Sequence, residues 1–134
     1  MKGILFLCVA NSARSQMAEG IAKSVAPSGV EIWSAGSRPT SVRPEAISVM
    51  REIGIDISNS RSKSVSEIPP DEVDTVIILC AEEECPLFLG KADRLHWGMP
   101  DPTAAGGSEK DRLDAFRNRG DELQRRITDL FRQP

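Results

Sequence analysis

Runs of apolar or nearly all apolar residues alternate along this chain with segments of helical periodicity. The run from Gly3 to Cys8 is apolar throughout, as expected of a strand covered on both faces of a sheet. The alanine-rich segment from Arg14 to Ala26 follows it and predicts a helix. A second apolar run extends from Val73 to Cys80. Both runs therefore belong in the interior of a sheet.

The shorter elements are marked by proline and glycine. Val30 to Ser34 predicts a short strand, and Arg94 to Trp97 predicts a fourth. A helix should begin at Pro44, because proline is favoured in the first helical turn, and run to about Ile53. Gly54 then ends it.

The charged segment from Ser108 onward has apolar residues at spacings of three, four and seven, which predicts one amphipathic helix or two with a break near Gly120. Strands that alternate with helices indicate an α/β fold. We expect a single domain over residues 1–134, with a four-stranded parallel sheet flanked by helices on both faces.

Composition excludes several classes of partner. A net charge of -3 over 134 residues gives no basic surface for nucleic acid. No apolar run approaches the roughly 20 residues that cross a bilayer, and the N-terminal run is too short for a signal peptide, so we expect a cytoplasmic protein. Three cysteines and the single histidine, His96, favour neither a disulfide framework nor a metal site. No cofactor is predicted.

The loop between the first strand and the first helix is the strongest candidate for chemistry. Cys8 ends the strand and Arg14 begins the helix, so backbone N–H groups between them should converge on one point. Such a nest binds a tetrahedral oxyanion and favours a cysteine thiolate, while the Arg14 fork can grip two oxygens. The predicted binding residues are Val9, Ala10, Asn11, Ser12, Ala13, Arg14 and Ser15.

Two residues of this loop have more specific expected roles. Asn11 suits left-handed backbone, and Ser15 can hydrogen-bond the Cys8 sulfur. The alternative is a cysteine packed at a strand end beside a solvated arginine. Cys8 and Arg14 flank the junction between a predicted strand and a predicted helix, and this position favours the anion site.

The chain resembles the low-molecular-weight protein tyrosine phosphatase superfamily, and within it the thioredoxin-coupled arsenate reductases. The matching segments are 8–20, Ser34-Ala35-Gly36, 54–58, Leu79-Cys80, Cys85-Pro86, His96-Trp97-Gly98 and Asp101-Pro102. The resemblance implies a flavodoxin-like fold with the anion loop at the carboxyl end of the first strand.

The resemblance also implies an arsenate reductase mechanism. Cys8 would attack arsenate, for which phosphate and sulfate are analogues, and Asp101 would be the general acid. On residues alone, Asp101 beside two prolines could equally be part of a turn. Cys80 would then attack the Cys8 sulfur, Cys85 would attack Cys80, and thioredoxin would reduce the Cys80–Cys85 disulfide. We expect a monomer.

Three departures from the family pattern accompany this resemblance. Ala13 replaces a second loop cysteine of several relatives, and the spacing between Cys80 and Cys85 is shorter than in the best-known members. Some relatives hold a potassium ion with Asn, Glu, Ser and Asp; here Asn11, Glu19 and Ser34 match, while Lys63 stands at the fourth position. We therefore predict activity that does not depend on potassium.

Two other functions are compatible with the same residues. A phosphomonoesterase would use Cys8, Arg14 and Asp101. Tyrosine phosphatases of this family usually carry tyrosines after the Asp-Pro pair, whereas this chain has Thr103-Ala104-Ala105 and no tyrosine at all. A non-catalytic anion or redox sensor would need no general acid. His96 and Trp97 are interpreted as a structural pair on an edge strand.

Overall fold

The structure, a computed structural model, describes residues 1–81, 88 and 90–132. Within these residues the chain forms one sheet of four parallel strands, in the order β2-β1-β3-β4. The strands are β1 (Gly3–Cys8), β2 (Glu31–Gly36), β3 (Thr75–Ile78) and β4 (Asp93–His96). The predicted parallel sheet is therefore confirmed, and the two most apolar runs, β1 and β3, lie at its centre.

One face of the sheet packs against α-helices. The described residues contain α1 (Arg14–Val25), α2 (Pro44–Glu52) and α3 (Glu109–Arg132). All three contribute buried side chains to one core cluster, which covers the face that carries Ile4 and Phe6. This cluster fixes the start of α1 beneath the end of β1.

Helix α3 is continuous through Gly120, so the possible break near this glycine does not occur. Gly120 is buried, and a Cβ built there would lie 3.4 Å from Met50 Cε and 3.6 Å from Val49 Cγ1. Both distances are ordinary van der Waals contacts, so Gly120 faces α2 at the packed surface between the two helices.

The second face of the sheet is covered differently. Leu5 and Leu7 pack there with residues of the segment that precedes β3. In the described residues its helical elements are two 3-10 helices, Val65–Glu67 and Pro70–Glu72. They stay short in part because Pro69 and Pro70 lack the backbone N–H that a continuing helix needs.

Strand limits differ from the prediction by one to two residues at most ends. β3 is shorter than the apolar run that predicted it, and β4 is an exposed edge strand, as its position in the sheet requires. Among the helices of the described chain, none combines the length and apolar character needed to span a bilayer.

Candidate active site

The Cys8 sulfur lies at the junction of β1 and α1. The side chain is buried, and its Sγ is 2.8 Å from Ser15 Oγ, as the sequence predicted. Asn11 adopts left-handed backbone with φ 49°, a conformation that asparagine tolerates better than most residues. The loop therefore turns sharply back over the start of α1.

The carbonyl groups of the loop point outward. The five carbonyls of residues 9–13 accept hydrogen bonds from Arg38 N, Thr40 N, Ser62 Oγ, Arg43 N and Met17 N, in that order. A trans peptide places its N–H opposite its carbonyl, and the described chain contains no cis peptide bond. The N–H groups of residues 10–14 therefore face the interior of the loop, as an anion-binding nest requires.

These N–H groups surround a cavity of about 220 Å³. Its lining residues are Cys8, Val9, Ala10, Ser12, Ala13, Arg14 and Asp101. The side chains of two of the predicted binding residues, Asn11 and Ser15, are buried beneath the loop and support it.

Arg14 is only 3% exposed and joins three parts of the site. Its Nη1 donates to the carbonyl oxygens of Met99 at 3.0 Å and Leu79 at 3.4 Å. Its Nη2 lies 3.9 Å from Asp101 Oδ2. These two backbone contacts were not predicted, because carbonyl groups leave no signal in a sequence.

Asp101 both lines the cavity and caps a short helix. Its Oδ1 accepts from the backbone N–H of Thr103 at 2.9 Å and from Thr103 Oγ1 at 2.7 Å, which starts the 3-10 helix Pro102–Ala104. The turn interpretation and the catalytic interpretation of Asp101 are therefore compatible. Thr103 was not predicted as a site residue, although an aspartate followed by a proline is a recognisable start of a helical turn.

The Asn11 side chain connects the loop to the sheet. Its Nδ2 donates to Ser15 Oγ at 2.8 Å and to Ser34 Oγ at 3.0 Å. Its Oδ1 accepts from the backbone N–H of Lys63 at 2.8 Å. When Cys8 is a thiolate its sulfur carries no hydrogen, so the Ser15 hydroxyl is then the donor of the bond between them.

A buried carboxylate stands at the other end of this network. Glu19 Oε1 accepts from Ser34 Oγ and lies 3.5 Å from Lys63 Nζ, and Oε2 accepts from Lys23 Nζ at 2.9 Å. Burial raises the pKa of Glu19, but the hydrogen bonds from Lys23 and Ser34 and the charge of Lys63 outweigh it and lower that pKa overall.

A family described as low molecular weight phosphotyrosine protein phosphatase matches residues 3–133. The chain belongs to this family. It is 40% identical over 128 residues to a protein named arsenate reductase from Halalkalibacterium halodurans, covering 94% of this chain and 92% of that one. It is 38% identical over 131 residues to an arsenate reductase from Bacillus subtilis, covering 96% and 94%. A solved structure described as an arsenate reductase in the phosphate binding state aligns with a TM-score of 0.83, at 33% identity and over 98% of both chains.

In this member of the low molecular weight phosphatase family, the second predicted cysteine lies beside the site. Leu79 N donates to Leu7 O at 2.9 Å, so Cys80 follows directly on the residue that pairs with the end of β1. The Cys80 side chain is buried with Leu5 and Leu7 on the second face of the sheet. The predicted third cysteine, Cys85, lies outside the described residues.

The predicted structural pair of this family member separates into two environments. His96 is exposed on the edge strand β4. Trp97 packs against Phe6, with ring centroids 6.4 Å apart, and lies under the guanidinium of Arg126 at 5.7 Å. Neither side chain lines the anion cavity.

Proposed function

We propose that this protein is an arsenate reductase in which Cys8 binds arsenic covalently and Cys80 and Cys85 supply the electrons. One observation carries the proposal: Arg14, which closes the anion cavity, donates to the carbonyl oxygen of Leu79, the residue next to Cys80. Arg14, which would hold the oxyanion, is thus hydrogen-bonded to the residue that directly precedes the second thiol, Cys80. The names of the relatives at 38% and 40% identity support the same activity.

The first step is a substitution at arsenic. The Cys8 thiolate attacks the arsenate ion, a sulfur–arsenic bond forms, and one arsenic–oxygen bond breaks. The protonated Asp101 carboxyl gives its proton to the departing hydroxide, which leaves as water. The N–H groups of the loop and Arg14 hold the remaining oxygens. Arsenic stays in the +5 state through this step.

The next steps transfer two electrons to arsenic. The Cys80 thiolate attacks the Cys8 sulfur, and the electron pair of the sulfur–arsenic bond leaves with arsenic as arsenite in the +3 state. Cys85 thiolate then attacks the Cys80 sulfur and releases the Cys8 thiolate. An external dithiol, thioredoxin in our proposal, reduces the Cys80–Cys85 disulfide. We propose a cytoplasmic monomer as the working form.

The relay requires Cys80 to move. In the structure Cys80 packs among apolar side chains on the second face of the sheet, whereas the Cys8 sulfur faces the anion cavity. Attack therefore requires the chain at Cys80 to leave this cluster.

The second candidate function is hydrolysis of a phosphomonoester. Cys8, Arg14 and Asp101 line one cavity, and none of these roles needs Cys80 or Cys85. Phosphate has the shape of arsenate, so Cys8 would form a cysteinyl-phosphate that water hydrolyses.

The deciding experiment measures arsenate-dependent NADPH oxidation with thioredoxin and thioredoxin reductase. The intact protein is compared with Cys8→Ser, Cys80→Ser and Cys85→Ser. A requirement for all three thiols supports the relay. Hydrolysis of an aryl phosphate that needs Cys8 alone, without arsenate turnover, would instead identify a phosphatase. Turnover with a glutaredoxin system but not with thioredoxin would correct the electron donor only.

A further inference from the structure

Thr103 holds one of the two Asp101 oxygens with both of its donors. The backbone N–H and the side-chain hydroxyl of Thr103 both donate to Asp101 Oδ1, at 2.9 Å and 2.7 Å. The other oxygen, Oδ2, is directed to Arg14 Nη2, 3.9 Å away on the wall of the anion cavity. The two oxygens of this carboxyl group are therefore not equivalent.

This asymmetry decides where a proton can reside. In a protonated carboxyl group the carbonyl oxygen is the good acceptor, and the hydroxyl oxygen accepts poorly. An oxygen that receives two hydrogen bonds is therefore the carbonyl oxygen, and the proton is carried by the other one. For Asp101 this places the proton on Oδ2, the oxygen on the cavity side.

We propose that Thr103 is a positioning residue that keeps the Asp101 proton directed at the bound oxyanion. The inference rests on the proposed function, because it assumes that Asp101 is the general acid of the first step. There the sulfur–arsenic bond forms, an arsenic–oxygen bond breaks, and the proton passes from Oδ2 to the departing oxygen, which leaves as water. Thr103 takes no part in the bond changes.

The Thr103 hydroxyl gives Asp101 Oδ1 a second hydrogen bond, which the backbone N–H alone cannot replace. The Asp101 side chain is 34% exposed, so water competes for its oxygens. With one donor left on Oδ1, rotation of the carboxyl group or a bound water can exchange the two oxygens. The proton then points away from the cavity for part of the time, and the reaction slows without loss of anion affinity.

A purely structural role for Thr103 predicts different behaviour. The Thr103 backbone N–H, which the Asp101 side chain caps at the start of the 3-10 helix, is present in every variant. Thr103→Val removes the hydroxyl and keeps the shape, whereas Thr103→Ser keeps the hydroxyl. Thr75→Val is the matched control, because Thr75 Oγ1 donates to Asp74 Oδ1 at 3.0 Å at the opposite end of the sheet.

The experiment is a double-mutant cycle on kcat/KM for arsenate, with the inhibition constant of phosphate measured in parallel. Thr103→Val should lower kcat/KM about five- to tenfold, the size expected for one positioning hydrogen bond, and leave the phosphate constant unchanged. Thr103→Ser and Thr75→Val should behave like the intact protein. In an Asp101→Asn background, which has no proton to position, Thr103→Val should cause no further loss.

Each contrary result has a separate meaning. Full activity of Thr103→Val, or an equal loss in the Asp101→Asn background, overturns the inference and leaves the proposed function intact. Full activity of Asp101→Asn itself would show that Asp101 is not the general acid and would overturn this inference. The cysteine variants would still test the relay. If arsenate is not turned over, the same cycle is measured with phenyl phosphate, and absence of both activities overturns both proposals.

Discussion

The ammonium group of Lys63 lies 3.5 Å from the buried carboxylate of Glu19. The same Glu19 oxygen accepts a hydrogen bond from the Ser34 hydroxyl. From Ser34 the hydrogen bonds continue through Asn11 and Ser15 to the Cys8 sulfur. A positive charge supplied by the chain itself therefore stands at the far end of the network that supports the anion loop.

We predict that the turnover of arsenate does not respond to potassium. The Lys63 ammonium already neutralises Glu19, so an added cation finds no unpaired negative charge to bind there. Rates are compared in potassium chloride and sodium chloride at constant ionic strength. A clear rise in turnover with potassium would contradict this assignment of Lys63.

The stability of the protein should fall in acid in part because of Glu19. The pKa of Glu19 is lower in the folded protein than its ordinary value of 4.5, so its contribution is complete above that value. As the pH falls below 4.5 and through the folded pKa, the carboxylate is protonated and the contribution is lost. Urea unfolding measured at neutral pH and at a series of pH values falling through and below 4.5 follows this loss.

In that comparison Glu19→Gln should be less stable than the intact protein at neutral pH, with the difference shrinking as the pH falls. Glu31→Gln, at an exposed position on β2, is the control and should follow the intact protein. A constant difference between Glu19→Gln and the intact protein at every pH would mean that the charge of Glu19 is not what stabilises the fold.

Gly36→Ala should disrupt the anion loop. A Cβ at Gly36 would lie 2.3 Å from Val9 O and 2.9 Å from Asn11 N, and both are backbone atoms of the loop. Overpacking of this kind costs about 1–3 kcal/mol, and here the displaced backbone is the binding site itself. Titration calorimetry should find that the dissociation constant of phosphate rises at least about tenfold above that of the intact protein.

The matched control for that substitution is Gly106→Ala, because a Cβ at Gly106 would meet nothing within 4 Å. Gly106→Ala should bind phosphate like the intact protein. If Gly36→Ala also binds phosphate normally, the close approach of β2 to the loop has no part in forming the site.

Ser15→Ala should slow the attack of Cys8 on arsenate. Ser15 Oγ lies 2.8 Å from the Cys8 sulfur and is the donor when Cys8 is a thiolate. Hydrogen bonds to a charged group contribute about 1.5–3 kcal/mol, so kcat/KM should fall about 10- to 100-fold. Ser24→Ala, which removes a hydroxyl bonded only to the α1 backbone at Ile21 O, is the control. Equal activity of the two variants would exclude a role for Ser15 in activating the thiol.

The part of the site that could be predicted is the part that is continuous in sequence. Cys8, the left-handed Asn11 and the contact of Ser15 with the sulfur all lie within one strand–loop–helix unit, whose geometry follows from local preferences and from the spacing. The sheet was predictable for a related reason, because apolar runs such as β1 are distinctive when both faces are covered.

The rest depends on how distant segments meet. Arg14 bonds to Leu79 O and Met99 O, which lie 65 and 85 residues further along the chain, just after β3 and β4. Gly120 is buried within the continuous helix α3 and faces Met50 of another helix, a packing that a local pattern around the glycine does not show. The position of Lys63 beside Glu19 came from family resemblance alone, since no local pattern pairs these residues.

The packing of Cys80 into the apolar cluster on the second face of the sheet, outside the lining of the anion cavity, has a consequence for product release. Arsenite is a soft, thiol-seeking species, and it binds tightly when two thiolates reach one arsenic atom. For an enzyme that makes arsenite, a resting site with Cys8 and Cys80 side by side would be poisoned by its own product. Of the two cysteines that the structure describes, Cys8 lines the cavity and Cys80 packs beneath the sheet, so these two sulfurs do not form a ready-made pair for arsenite in the resting protein.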